Sequence, residues 1–82
     1  MTNLTYEQLT KRAEREIRDA RQRAAACEIG TYGLGLALGE ARGAYSLWDA
    51  AVAAMGASVP PHARADRVRL ETLAYARLPL TE

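Results

Sequence analysis

Between Gly33 and Gly56 the chain runs through a segment with too little polar surface for an isolated helix. Leu34, Leu38, Ala41, Tyr45, Trp48, Val52 and Met55 recur at alternating four- and three-residue steps, a heptad-like seam along one helix face. The face opposite is not polar. It holds Gly35, Gly39, Gly43, Ala50 and Ala54 with Leu36 and Leu47 beside them, and only Arg42, Ser46 and Asp49 form a narrow polar strip. Such a helix is expected to be central, with neighbours on two faces. The stretch from Tyr32 to Ala57 is long enough to span a bilayer, yet Glu40, Arg42 and Asp49 lie in its middle, where each charge is costly. A buried helix is the cheaper solution, and no membrane is expected as a partner.

The punctuation around this segment predicts two more helices. Thr5 with Gln8 three residues on reads as a capping box, and Leu4 is placed to staple against Leu9, which opens helix 1 at about residues 6–28. Tyr6, Leu9, Ala13, Ile17, Ala20, Ala24 and Cys27 make its apolar stripe. Lys11, Arg15, Arg18 and Gln22 occupy the other side, and Glu14 to Arg18 and Asp19 to Arg23 have the i,i+4 order that supports an exposed helix. Gly30 suits the left-handed residue that ends a helix, so Gly30 to Gly33 reads as a turn and helix 2 as about residues 34–55. Gly56 closes helix 2, Pro60 and Pro61 forbid its continuation, and Ser58 is a candidate cap. Helix 3 follows at about residues 61–78, stopped by Pro79, with Val59, Ala63, Leu70, Leu73 and Ala74 inward and Val68, Thr72 and Tyr75 outward. The prediction is an all-α, single-domain, three-helix arrangement: a long helical hairpin plus a third helix.

Composition limits how well such a fold can stand alone. Of the apolar residues in this 82-residue chain 17 are alanine, none is phenylalanine, and only ten leucines, two isoleucines and three valines add bulk. Alanine buries little area, and a chain this short buries a smaller share of its surface than a larger domain. Support from disulfides or metal is not expected, because Cys27 and His62 are the only cysteine and histidine. Oligomerisation is the remaining support, so a homodimeric helical bundle is predicted, without cofactor or metal. Residues 1–8 lack a basic stretch followed by an apolar run, so no signal peptide is read and a cytoplasmic protein is expected. A net charge of +1 provides no global field toward nucleic acid or membrane.

No set of residues specifies a chemistry. Gly33, Gly35, Gly39 and Gly43 invite a phosphate-loop reading, but no Gly-Lys-Ser/Thr ending follows and no strand precedes. Gly35, Gly39 and Gly43 at four-residue steps are better explained as helix-packing positions, together with Trp48, where Ala13, Ala20 and Ala24 of helix 1 come close. Each glycine costs about 1 kcal/mol in a helix and so asks for a packing reason. Cys27 and His62 are a conceivable nucleophile and base, yet nothing brings them together in sequence, and a lone cysteine more often packs as a small hydrophobe. Asp49 with Glu40, and Asp66 with Glu71, form no recognisable acid/base pair. No enzyme activity is expected.

Two surfaces remain for partners. Lys11, Arg15 and Arg18 form a basic ridge, with Arg12, Arg21 and Arg23 nearby, but Glu7, Glu14, Glu16 and Asp19 interleave with it. Arg64, Arg67 and Arg69 point in different directions round helix 3. A solvated ridge is therefore favoured over a nucleic-acid contact. The second surface is the outer side of helix 3, where Tyr75 is the candidate anchor, Val68 and Leu78 its apolar neighbours and Arg64 a polar contact. In size, helix content, lone cysteine and want of a catalytic set, the chain resembles the small accessory proteins of phages and mobile elements that inhibit a host protein by binding it. The likeness is one of type and carries no residue with it. It implies a non-catalytic interaction module that binds another protein, with a small nucleic-acid-binding regulator using the helix 1 ridge as the alternative.

Overall fold

Helix α1 (Tyr6–Ala25) starts at the capping box. Thr5 Oγ1 accepts from the Gln8 amide at 3.1 Å, and Gln8 Oε1 accepts from the Thr5 amide at 2.9 Å, so two otherwise orphaned donors are satisfied. The computed structural model describes residues 5–77, and its remaining helices are α2 (Tyr32–Met55) and α3 (Ala63–Tyr75), with one 3₁₀ turn at Gly56–Ser58. No strand occurs among the described residues.

Every helix differs from its predicted span at one end or both, for local reasons. α1 ends three residues before position 28. The amides of Ala26 and Cys27 reach back only three residues, to the carbonyls of Arg23 and Ala24, which tightens the last turn before Gly30 reverses the chain at φ +83°. α2 begins two residues earlier than expected, because Thr31 is a cap inside the glycine turn: its hydroxyl oxygen accepts from the Leu34 amide at 3.2 Å. Gly56, at φ +58°, ends α2 as predicted. α3 is shorter at both ends than residues 61–78. The Ala63 amide closes a turn onto the Pro60 carbonyl, and neither Ser58 nor any other side chain caps the helix. At the other end Ala76 is extended, and the Arg21 guanidinium donates to the carbonyls of Ala76 and Arg77 at 2.8 and 3.5 Å, so α1 captures the chain as it leaves α3. Pro79, the predicted stop, lies outside the described residues.

The core lies where the three helices meet. Ile17 from α1, Trp48 from α2 and Leu70 from α3 are its largest fully buried side chains, and Ala13, Ala20, Ala41, Ala63 and Ala74 let the helices close around them. Tyr6 meets Trp48 edge-on at 6.5 Å and Tyr45 stacks on it at 6.1 Å. The Trp48 indole N–H donates to Thr10 Oγ1 at 2.9 Å, which is why a threonine is buried on the α1 stripe.

Ion pairs and hydrogen bonds set the direction of α3. Asp66 meets Tyr6, Arg69 meets Glu14 and Ala76 meets Arg21, so α3 runs parallel to α1. Arg67 meets Asp49, Glu71 meets Tyr45 and Tyr75 meets Arg42, so it runs antiparallel to α2. Both neighbours of α2 thus lie on one half of it. The expectation of neighbours on two faces is corrected: Ala37, Ala41, Trp48 and Val52 are buried, whereas the glycine face is exposed.

Candidate functional site

The outer strip of α3, where partner contacts were expected, is exposed. Arg64, Val68, Thr72 and Tyr75 follow at four-, four- and three-residue steps, share one side of the helix and are all exposed. Val68 is 61% exposed and Tyr75 is 50% exposed. Val68, Glu71, Thr72, Tyr75 and Ala76 line a shallow open depression. The Tyr75 ring is held from behind, since Tyr45 meets it edge-on at 6.2 Å and the Arg42 guanidinium carbon lies 5.1 Å from its centre. Glu71 accepts from the Tyr45 hydroxyl at 3.2 Å and so fixes the ring on which Tyr75 leans. Leu78, the fourth member of the predicted surface, lies outside the described residues.

The ridge on α1 is partly neutralised by its own helix and by α2. Arg18 donates to Glu14 at 3.0 Å, Arg12 pairs with Glu16 at 3.0 Å, and Arg23 pairs with Glu40 of α2. Lys11 and Arg15 carry no ion pair among the described residues, and they flank two shallow depressions, one with Glu14, Arg18 and Asp19, the other with Gln8 and Arg12. In the second basic group, Arg67 is engaged by Asp49 and Arg69 by both Glu14 and Asp66. A continuous row of free cations is therefore not assembled.

The predicted helix-packing residues divide. Trp48 packs in the core. Gly35, Gly39 and Gly43 do not receive α1: a methyl group added at any of them would meet nothing within 4 Å. The physical reason is bulk, because the face carrying Trp48 and Val52 buries more apolar area and takes both partner helices.

A polar cluster that sequence reading missed joins α1 to the start of α3. The Tyr6 hydroxyl donates to Asp66 Oδ2 at 2.6 Å, and His62 Nε2 lies 3.8 Å from Asp66 and 3.9 Å from Glu7. Burial, and then donation to Asp66, raise the Tyr6 hydroxyl above the ordinary tyrosine value. Burial also pushes the Asp66 carboxyl upward, but hydrogen bonds from Tyr6 and Arg69 outweigh it and hold the group below the ordinary value. The Arg69 guanidinium lowers Glu14 in the same way, against burial and with help from Arg18. The depressions named above are not lined by Tyr6, His62 or Asp66, and the cluster acts as a clasp between helices. Its sequence signal is slight: Tyr6 places a hydroxyl at the start of an otherwise apolar stripe.

Cys27 and His62 lie beyond opposite ends of α1, about 30 Å apart along the helix. The Cys27 thiol donates to the Arg23 carbonyl at 3.2 Å. Among the described residues no three His, Cys, Asp or Glu side chains converge to hold a metal ion, and no helix is long and apolar enough to cross a membrane. No protein-family model matches the chain, and no curated protein and no solved structure matches it either.

Proposed function

We propose that this chain is a non-catalytic helical interaction module that binds another protein and blocks or modulates it, as accessory proteins of phages and mobile elements do. It acts in the cytoplasm and as a homodimer. One observation carries the reading: Tyr75 offers half its surface to solvent while Tyr45 and Arg42 hold it in place. An aromatic ring ordered before binding loses little rotamer entropy on contact, the property that makes tyrosine effective in recognition surfaces. Val68 beside it supplies apolar area, and Arg64 a polar rim.

The test is capture from the native host cell with the wild-type chain and with Tyr75→Ala in parallel. A single protein retained in constant ratio by the wild type, and lost by a variant that keeps its helix content and melts only a few degrees lower, supports the reading. Retention of that protein by both chains removes Tyr75 from it.

The nucleic-acid alternative has Lys11 and Arg15 in its favour, exposed and without ion pairs among the described residues. Against it stand the carboxylates on Arg12, Arg18, Arg67 and Arg69. Short DNA and RNA are expected to bind weakly and to dissociate as salt rises, since two free cations release few counterions. Tight binding at physiological salt that Lys11→Ala and Arg15→Ala both abolish would make this alternative the better one.

A further inference from the structure

The uncovered face of α2 bears a size pattern that fits a second copy of itself. Tyr32, Leu36, Gly39, Gly43, Leu47, Ala50 and Ala54 follow at four- and three-residue steps along one side of the helix, and all are exposed. Tyr32 is 85% exposed, Leu36 51% and Leu47 72%. No charge interrupts the strip. The charges on its flanks are engaged within the chain: Glu40 by Arg23, Asp49 by Arg67, and Arg42 over the Tyr75 ring.

We propose that two copies pair antiparallel through this face, with the two-fold axis passing at Gly43; the inference rests on the homodimer part of the proposed function. In an isologous contact each residue meets its counterpart across the axis. About Gly43 the pairs are Tyr32 with Ala54, Leu36 with Ala50, Gly39 with Leu47, and Gly43 with itself. Every large side chain meets a small one, as close packing requires. The parallel, in-register pairing sets Leu36 on Leu36 and Leu47 on Leu47 while Gly39 faces Gly39, which props the helices apart and leaves a void between the props. Sliding the antiparallel register by one heptad toward the C-terminus sets Gly43 on Ala50 and leaves Tyr32 without a partner. A second copy of the strip supplies this large-to-small order in reverse with no further component.

The same pairing accounts for three glycine-rich turns of an exposed helix. Gly43 at the axis and Gly39 beneath Leu47 let the helices approach to about 8 Å, the near limit of helix packing. A strip about 33 Å long and one helix wide on each copy buries on the order of 700 Å² in total. That is below the ~1,200–2,000 Å² of stable complexes, so a weak, concentration-dependent dimer is expected.

The experiment uses the full chain with Cys27→Ser, followed by sedimentation velocity across about 1–100 μM. The expected result is a concentration-dependent passage from one copy to two, with Gly43→Leu monomeric throughout at unchanged helix content by circular dichroism. Gly39→Leu is expected to weaken association at least tenfold, and Gly39→Leu with Leu47→Ala to recover most of it, because the pair has exchanged large for small. Oxidation then reads the direction. Antiparallel pairing sets the two copies of position 36 about 21 Å apart, beyond the ~7 Å that a disulfide spans. Leu36→Cys should therefore link to Ala50→Cys in a mixture and not to itself. Self-linkage of Leu36→Cys overturns the direction, and association that persists in Gly43→Leu overturns the surface. A chain monomeric at 100 μM overturns self-association altogether, while the Tyr75 capture experiment still judges the protein-binding reading separately.

Discussion

α2 carries two apolar faces, and they meet different fates. The inner face, with Ala37, Ala41, Trp48 and Val52, is buried by α1 and α3, whereas the outer face, from Tyr32 through Gly43 to Ala54, is exposed. Both are continuous, and both are nearly free of charge. Two things separate them. Trp48, flanked by Tyr45 and Met55, gives the inner face bulk at a level where the outer face has only Leu47 and Ala50, and its N–H finds a partner in Thr10. The flanks of the inner face also carry the polar ties that fix α3, Arg67 to Asp49 and Glu71 to Tyr45. Hydrophobicity made both faces candidates for the core, and bulk with polar anchoring chose between them.

The sharpest way to break that comparison is to remove the bulk. Trp48→Ala is expected to cost about 3–5 kcal/mol through cavity formation, with the orphaned Thr10 hydroxyl adding to the loss. For a small domain that approaches the whole stability. Trp48→Phe keeps most of the ring and leaves Thr10 unpaired, so a loss of about 1–3 kcal/mol is expected from the hydrogen bond and lost area. On the outer face, Leu47→Ala should change the monomer by no more than about 0.5 kcal/mol. Urea melts at low protein concentration compare the three. Equal losses at Trp48 and Leu47 would mean that both faces are packed within one chain.

The opposite perturbation adds bulk. Ala41 is fully buried between helices, and Ala41→Leu is expected to destabilise by about 1–3 kcal/mol as overpacking does. At Gly43, two residues away on the exposed side, an added Cβ meets nothing within 4 Å, so leucine is expected to cost the monomer little. A melt of Gly43→Leu below that of wild type at 1 μM would show a neighbour on the outer face that the single chain does not account for.

Much of this fold was legible in the sequence because helix periodicity reports directly on burial. The α1 stripe, the seam of α2 and the Leu70–Ala74 side of α3 follow from three- and four-residue spacing, and Thr5 with Gln8 marked the first cap. The ends of helices were less legible, since they depend on contacts made across the chain. Nothing near Ala76 in sequence announces that Arg21 takes its carbonyl. For the glycines, spacing pointed to α1 as the neighbour, and the structure leaves that face exposed: four-residue spacing gathers small residues on one side of a helix without saying what covers it. At the candidate surface, the outward positions of Val68 and Tyr75 followed from the phase of α3, whereas the support from Tyr45 and Arg42 needed the antiparallel packing of α2 and α3.

The clasp between α1 and α3 sharpens the comparison through pH. Glu14 and Asp66 both sit below their ordinary values in the fold, so their contribution is present above about pH 4, the unfolded carboxylate range, and is lost as pH falls through the lower folded values. Arg69→Gln removes the guanidinium common to both, at a cost of about 1 kcal/mol or less for partly exposed pairs. The variant should therefore lose less stability than wild type between pH 5 and pH 2 in thermal melts. Parallel acid profiles for the two chains would assign the acid sensitivity to other carboxylates.

Tyr75→Ala tests a residue that belongs to neither face of α2 but leans on its edge. The ring loses one edge-on aromatic contact and one cation–π contact, each worth about 0.5–1 kcal/mol at a half-exposed site. A melt lowered by a few degrees with helix content retained is the expected result. Loss on the scale of Trp48→Ala would place Tyr75 in the core and end its candidacy as a binding anchor.

The smallest effect separates helix propensity from packing on the outer face itself. Gly35 lies on the exposed side of α2 but off the Tyr32–Leu36–Gly39–Gly43 strip, and a methyl group there meets nothing within 4 Å. Gly35→Ala should therefore stabilise the chain by about 0.5–1 kcal/mol, because alanine loses less backbone freedom than glycine on entering a helix. The gain should be the same at 1 μM and at 100 μM. Gly43→Ala should show the same gain at 1 μM, where the chain is monomeric, and give part of it back at 100 μM, where a methyl group at the two-fold axis separates the helices. Thermal melts of both variants at both concentrations decide the matter. A gain at Gly43 that does not depend on concentration leaves the glycines without a packing role, and one that shrinks only for Gly43 ties the uncovered face of α2 to a second copy.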